Sequence, residues 1–144
     1  MLIDQLITEW ETDCVIDEGD ISGSALRTPN LHAKYLRVLI EYKLKKVKYT
    51  ADLHELKLLK TKHIKGHLTT EELNELGWEP FQFRVLKGEI EEHLQADQDI
   101  QKINSKIEYC NSAIYLLESI LQEIKSRSFH TRVAMDWIKF RAGA

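Results

Sequence analysis

An all-α chain built on long amphipathic helices is the fold class the sequence predicts, and three observations carry that prediction. No proline or glycine interrupts residues 30–65. A seam of apolar residues steps by three and four, without a break, from Ile100 to Ile124. The 144 residues hold only two prolines and six glycines, with 30% charged and 8% aromatic side chains, a composition that favours helix over a β-sandwich or a disordered tail. At this length the expectation is one helical domain, residues 1–144.

The elements follow in order. Leu2, Ile3, Leu6, Ile7 and Trp10 recur at helical spacing and predict a short amphipathic helix over 2–12. Cys14–Asp17 reads as a brief extended stretch, and EGDISGS as a loop broken by Gly19 and Gly23. Thr28 as N-cap and Pro29 in the first turn open a long helix over 29–65. That helix would be roughly 55 Å long, and such a length needs a packing partner along much of it. Its 3-4 positions are Leu31, Tyr35, Val38, Tyr42, Lys45, Tyr49, Asp52, Leu56, Leu59 and His63, mostly apolar or aromatic.

Residues 66–95 read as a connector. Thr69 to Glu72 has the form of a capping box, and Gly77 ends the short helix it starts. Phe81, Phe83 and Val85 alternate, as an edge strand or a core plug would. Leu86, Ile90 and Leu94 predict one more short helix. The strongest periodicity follows over 97–126, where Ile100, Ile103, Ile107, Cys110, Ile114, Leu117, Leu121 and Ile124 form a coiled-coil-like stripe. Tyr109, Tyr115, Leu116 and Ile120 broaden it beyond a two-helix seam, which predicts an assembly helix with more than one neighbour. KSRS interrupts this helix, and Phe129, Val133, Trp137 and Phe140 mark a terminal helix over 129–141.

Several function classes lose support here. No run of apolar residues is long enough to span a membrane, and the acidic N-terminal stretch MLIDQLITEWETD does not suit an export signal. Cys14 and Cys110 form no CxxC pair, which fits a reduced, cytosolic setting. His63 and His67 stand four apart, but Gly66 lies between them and no Cys or acid completes a metal site, so they read as exposed polar residues. Neither a phosphate-binding GxxxxGK loop nor a GxSxG or HExxH motif is present, and adjacent acids such as Glu71/Glu72 and Glu91/Glu92 diverge on a helix. The expectation is a protein that is not an enzyme and has no cofactor or metal.

Charge is segregated, and this is the informative feature. The net charge is -3, yet residues 1–26 carry seven acids and no Lys or Arg. Residues 34–65 hold ten cations against three acids, residues 66–124 four cations against twelve acids, and residues 125–144 five cations against one. Lys43/Lys46, Lys57/Lys60 and Lys62/Lys65 are like-charge i,i+3 pairs on the long helix, each unfavourable by roughly 0.2–0.5 kcal/mol. Only Glu41, Asp52 and Glu55 lie near enough in sequence to offset them, so the segment reads either as a solvated lysine-rich face or as one that awaits a polyanion. Such a cluster suits a polyanion: lysine binds phosphate as a mobile point charge and reads no base, so affinity would be sequence-independent and salt-sensitive. Tyr42, Tyr49, His54 and His63 are the aromatic groups near enough to stack on unpaired bases, although Tyr42 and Tyr49 fall on the apolar seam.

Certain motifs go further. Ala96-Asp97-Gln98-Asp99 precedes a helix with Tyr109 near its middle, followed by Leu121-Gln122-Glu123-Ile124-Lys125-Ser126-Arg127-Ser128-Phe129 and Phe140-Arg141-Ala142-Gly143. Towards the N-terminus stand an acidic helix, Asp13, Val15-Ile16-Asp17 and Lys34-Tyr35-Leu36. In kind and order these resemble the UvsY proteins, recombination mediators of T-even-type phages. The resemblance covers more than half of the chain.

It implies a small helical protein that forms a ring, a heptamer in that family, and is not an enzyme. Such a protein binds single-stranded DNA in the cytoplasm of the infected host, contacts the phage single-strand-binding protein and loads a RecA-like recombinase. The family's basic motif, Lys-Ala-Arg preceded by Leu and followed by Tyr-Tyr-x-Gly, has its counterpart at Leu59-Lys60-Thr61-Lys62 and His63-Ile64-Lys65-Gly66. Aligning on Leu-Lys places Lys60 and Lys62 on the two family cations; aligning on the glycine places Lys60 on the family's arginine. The tyrosine pair is absent, and residues 67–88 match nothing in the pattern. The candidate DNA-binding residues are thus Lys57, Lys60, Lys62, Lys65, Lys43 and Lys46, repeated around a ring so that avidity replaces individual affinity. The alternative is a helical structural, adaptor or virion protein that self-assembles without binding DNA.

Overall fold

The structure is a computed structural model that describes Met1–Gly143. Its helices are α1 (Ile3–Asp13), α2 (Ile21–Leu26), α3 (Thr28–Ile64), α4 (Thr70–Leu76), α5 (Ile90–Ala96, entered through a 3-10 turn at Lys87–Glu89), α6 (Gln98–Lys125) and α7 (Arg127–Arg141). No strand occurs among the described residues, so the edge-strand alternative for Phe81–Val85 falls away. Among the described residues no helix is long and apolar enough to cross a membrane.

Two local expectations need correction. Gly23 does not break the chain but sits inside α2. Asp20 caps that helix by accepting from the Gly23 N–H at 3.1 Å, and a Cβ on residue 23 would lie 2.1 Å from the Asp20 carboxylate. Glycine is therefore what lets the capping carboxylate fold over the helix start. Thr28 is likewise not the N-cap of α3. Arg27 already has right-handed helical geometry, and its carbonyl accepts from the Leu31 N–H at 3.0 Å, so Thr28 is the first helical residue.

Other ends follow the sequence closely. α3 stops one residue before the predicted end, in a Schellman turn: Gly66 adopts φ 72°, the His67 N–H donates to Lys62 O at 2.9 Å and the Gly66 N–H to His63 O at 3.1 Å. Gly77, at φ 70°, ends α4 in the same way after a reciprocal Thr69–Glu72 capping box. Asp97 starts α6, its Oδ1 accepting from the Asp99 and Ile100 N–H groups at 2.9 and 3.0 Å. Ser126 is the single residue separating α6 from α7, and α7 begins two residues earlier than predicted.

The chain forms two compact units. One comprises Met1–Leu44 with the described residues from Asn111 onward, the other Lys45–Cys110. In the first, Leu6, Leu31, Tyr35, Val38, Leu39, Tyr42, Ala113, Leu117, Ile120, Leu121 and Ile124 are buried. Lys43 faces Glu118 at 3.8 Å, while Thr28 and His32 share a cleft with Ile124 and Ser128, which sets α3 and α6 antiparallel here. α1 clasps α3: Lys34 donates to Asp13 at 2.6 Å, Tyr35 donates to the same carboxylate at 2.8 Å, and Trp10 meets the Tyr35 ring edge-on at 5.5 Å.

Arg127 closes this unit. The residue is 3% exposed, and its guanidinium donates to the carbonyls of Ser24, Cys14 and Val15 at 3.2–3.4 Å. Burial, then the charge of nearby Arg27, pull its pKa below the usual value, yet a guanidinium keeps its charge in any ordinary pH range. The Arg of the Ile-Lys-Ser-Arg-x-Phe element is thus a structural staple.

The second unit packs Leu53, Leu94 and Ile100 at its centre, with Leu56, Ile64, Ile90, Ile103 and Ile107 around them. Lys106 stands over the Tyr49 ring at 5.6 Å and Lys60 reaches Asp97, so α3 and α6 are antiparallel here as well. Cys110 is a buried free thiol whose pKa burial pushes up, a small core residue as expected, whereas Cys14 is exposed.

Candidate nucleic-acid interface

The six candidate lysines lie on one helix but in different environments. Lys43 is exposed and faces Glu118, and Lys46 and Lys57 are half-buried. Lys60 is held most tightly, with 13% of its side chain exposed. Its Nζ lies 3.1 Å from both the Asp97 and the Asp99 carboxylates and 4.3 Å above the Trp78 ring. Burial by itself would lower its pKa; the hydrogen bonds and charges of the two aspartates outweigh that and raise it. Lys60 therefore ties the end of α3 to the start of α6, and the Leu-Lys and Ala-Asp-x-Asp motifs are two halves of one contact.

Lys62 and Lys65 are the exposed cations of this cluster, with no ion pair among the described residues. They flank the Schellman turn at the end of α3. A free ammonium costs a phosphate no competing carboxylate, so of the two lysines singled out by the basic motif Lys62 is available and Lys60 is occupied.

The histidines correct a further expectation. His67 is exposed, but His63 is half-buried: its Nε2 lies 2.7 Å from Glu79 O, and its ring packs against Trp78 at 5.1 Å and Phe81 at 5.6 Å. His63 is thus a packing residue rather than a surface or stacking one. Tyr42 is buried with its hydroxyl donating to Met1 O, and Tyr49 is half-buried under Lys106, so both belong to the interior as their seam positions imply. No group of three metal-ligating side chains occurs among the described residues.

Sequence reasoning missed a second basic element. Phe83 and Arg84 lie beside Lys65 and His67 along one cleft. The signal was present as a cation next to exposed aromatics in FQFRV, but the alternation there reads equally well as a strand.

The candidate assembly residues are also placed. Ile100, Cys110, Leu117, Leu121 and Ile124 are buried, and Ile103, Ile107 and Ile114 half-buried, within one copy of the chain. Five of the eight seam residues are thus covered by the chain's own helices, and three only in part. Apolar surface that remains open includes Leu44, Val47 and Leu58 on α3, Tyr115 on α6, and Phe129, Val133, Trp137 and Phe140 on α7, all at least half exposed.

Comparison with known proteins agrees with this architecture. Crystal structures of the bacteriophage T4 recombination mediator protein UvsY superimpose on the chain with TM-scores of 0.83 and 0.82. Sequence identity is 23% and 22%, covering 99% and 95% of this chain and 98% of the T4 chain in each case. A third lattice of the same protein gives a TM-score of 0.81 at 20% identity, with 98% of this chain and 99% of that one covered. These likenesses establish the fold. No curated protein matches the chain significantly. The model of one family, described as recombination, repair and ssDNA binding protein UvsY, matches residues 9–144, and since that span takes in the α1–α3 clasp, the lysine cluster and the Arg127 staple, the chain belongs to the UvsY family.

Proposed function

We propose that this protein is a phage recombination mediator that binds single-stranded DNA without sequence preference. In this reading it loosens the hold of a single-strand-binding protein and helps a RecA-like recombinase onto the strand, in the cytoplasm of the infected host and without catalysis. The observation that carries the reading is the pair of exposed, unpaired lysines, Lys62 and Lys65, at the end of the most basic segment of a net-acidic chain. Point charges of this kind hold phosphates and read no base. Lys57 extends the patch along α3, while Lys43 and Lys46 lie some way back along the same helix.

Self-assembly belongs to the proposal. One protomer offers too few free cations for a tight grip, and a ring of copies lines them up so that contacts add through effective concentration. The open apolar face of α7 supports assembly through that helix in preference to the covered seam of α6. Acidic segments elsewhere repel a strand from the remaining surface.

Fluorescence anisotropy with labelled single-stranded and duplex oligonucleotides, across a salt series, tests the reading. Single strands are expected to bind more tightly, with affinity falling steeply as salt rises. Lys62→Ala with Lys65→Ala is expected to weaken binding and flatten the salt dependence. Equal affinity for duplex, or indifference to the double substitution, overturns the proposal; a stable oligomer with no affinity at moderate salt would leave the adaptor alternative.

A further inference from the structure

The end of α3 and the segment that follows α4 border an open groove of about 480 Å³. We propose that it is a nucleotide subsite, in which an unpaired base stacks on Phe83 and Lys65 and Arg84 hold the flanking phosphates. This inference deepens the single-strand reading above and rests on it.

Three features point to this occupant. First, the lining is cationic without being acidic: Lys65 and Arg84 contribute charge to it, beside the His67 ring, and no carboxylate does, in a chain with more acids than bases. Second, Phe83 is 75% exposed, so a large apolar ring is left in water beside two cations. Phe83 is not a stray side chain. Its ring lies edge-on to Phe81 at 6.0 Å, and Phe81 is fixed in turn against His63 at 5.6 Å and His93 at 6.0 Å. The aromatic platform is therefore braced from below while its outer ring stays open. Third, Gln82 supplies an amide that can donate or accept at a base edge of any identity, compatible with sequence-tolerant binding.

The helix end beside the cleft does not repel the phosphate. A C-terminus carries partial negative charge, but the carbonyls of Thr61, Lys62 and His63 already accept from the N–H groups of Lys65, His67 and Gly66. Guanidinium and ammonium together offer both a planar fork and a mobile point charge to adjacent phosphates. A duplex cannot use the ring, since its bases are already stacked on each other; only an unpaired strand meets both halves of the site.

The test compares a fluorescein-labelled oligothymidylate with an abasic strand of the same length and charge, bound to the full chain. Phe83→Ala is expected to weaken oligothymidylate binding by at least about fivefold and to leave the abasic strand unaffected. Phe83→Trp is expected to retain affinity, and Arg84→Ala to weaken both ligands. Because Phe83 is 75% exposed, its substitution is expected to leave the fold intact, and circular dichroism checks this. If Phe83→Ala leaves oligothymidylate binding unchanged while Lys62→Ala with Lys65→Ala weakens it, the subsite is wrong and the single-strand reading stands. If the unaltered protein binds neither strand, both fall.

Discussion

Lys60 and Lys62 stand two residues apart and serve different ends. Both ammonium groups look alike in a string of letters, and either alignment of the basic motif picks out Lys60. What the string hides is a partner 39 residues away, the Asp99 carboxylate, with Asp97 beside it. Local patterns are legible because neighbours in sequence are neighbours in space on a helix; a contact between distant segments leaves no such trace. The same holds for Arg127, whose position in a basic terminal segment suggests a surface charge and whose side chain is in fact buried among carbonyls. Lys60→Ala is accordingly expected to lower stability by about 1–3 kcal/mol, as loss of a mostly buried, charge-assisted contact does. Urea unfolding checks this. A DNA affinity that drops in Lys60→Ala at unchanged stability would return Lys60 to the ligand.

At the scale of elements, periodicity and capping signals serve well. The long uninterrupted helix, the seam, the capping box and the two glycine stops all appear within a residue or two of their expected places. α2 is the element that stays hidden, because a glycine in a short polar run reads as a break unless the aspartate three residues before it is known to fold over the helix start. The α1–α3 clasp makes a pH-dependent prediction. Burial raises the Asp13 pKa, but the hydrogen bonds from Lys34 and Tyr35 and the Lys34 charge outweigh it and hold the carboxyl below its ordinary 3.8. Burial opposes the Lys34 charge as well, and Asp13 with Glu9 lifts it above 10.5; burial and the bond to Asp13 both raise Tyr35. A depressed carboxyl stabilises the fold above its unfolded value and loses that contribution as pH falls through the folded one. The raised groups contribute fully below their unfolded values and lose it as pH rises through the folded ones. Asp13→Asn is thus expected to cost about 1–2 kcal/mol near neutral pH, discounted because Lys34 is partly exposed. Urea midpoints for the two proteins should converge as pH drops below Asp13's folded value. A constant gap down to about pH 2 would mean that the clasp is not ionic.

For the molecule as a whole, the sequence is richest in periodic apolar residues where the chain buries its own surface. A stripe broad enough for several neighbours predicts an assembly helix, but helices of the same chain satisfy that breadth equally well, and periodicity cannot tell the two apart. One face that stays uncovered is on α7, where Trp137 and Phe140 stack at 5.7 Å and are 53% and 71% exposed; Leu44 and Val47 leave another open on α3. Burying such rings between copies removes them from water without disturbing the interior. Trp137→Asp with Phe140→Asp is expected to reduce the mass seen by light scattering to that of a single chain while helicity persists. DNA affinity should fall along with the mass, since avidity goes with assembly. An oligomer of undiminished mass would place the contact on another surface.

The guanidinium that closes the first unit rests on neutral carbonyl oxygens and has no ion partner among the described residues. Added electrolyte can screen only the influence of the neighbouring Arg27 and Asp13 charges there and leaves the carbonyl hydrogen bonds, whereas phosphates held by surface ammonium groups are readily displaced. This joint should stay fastened at ionic strengths that strip off nucleic acid, so that release on adding salt need not begin with its failure.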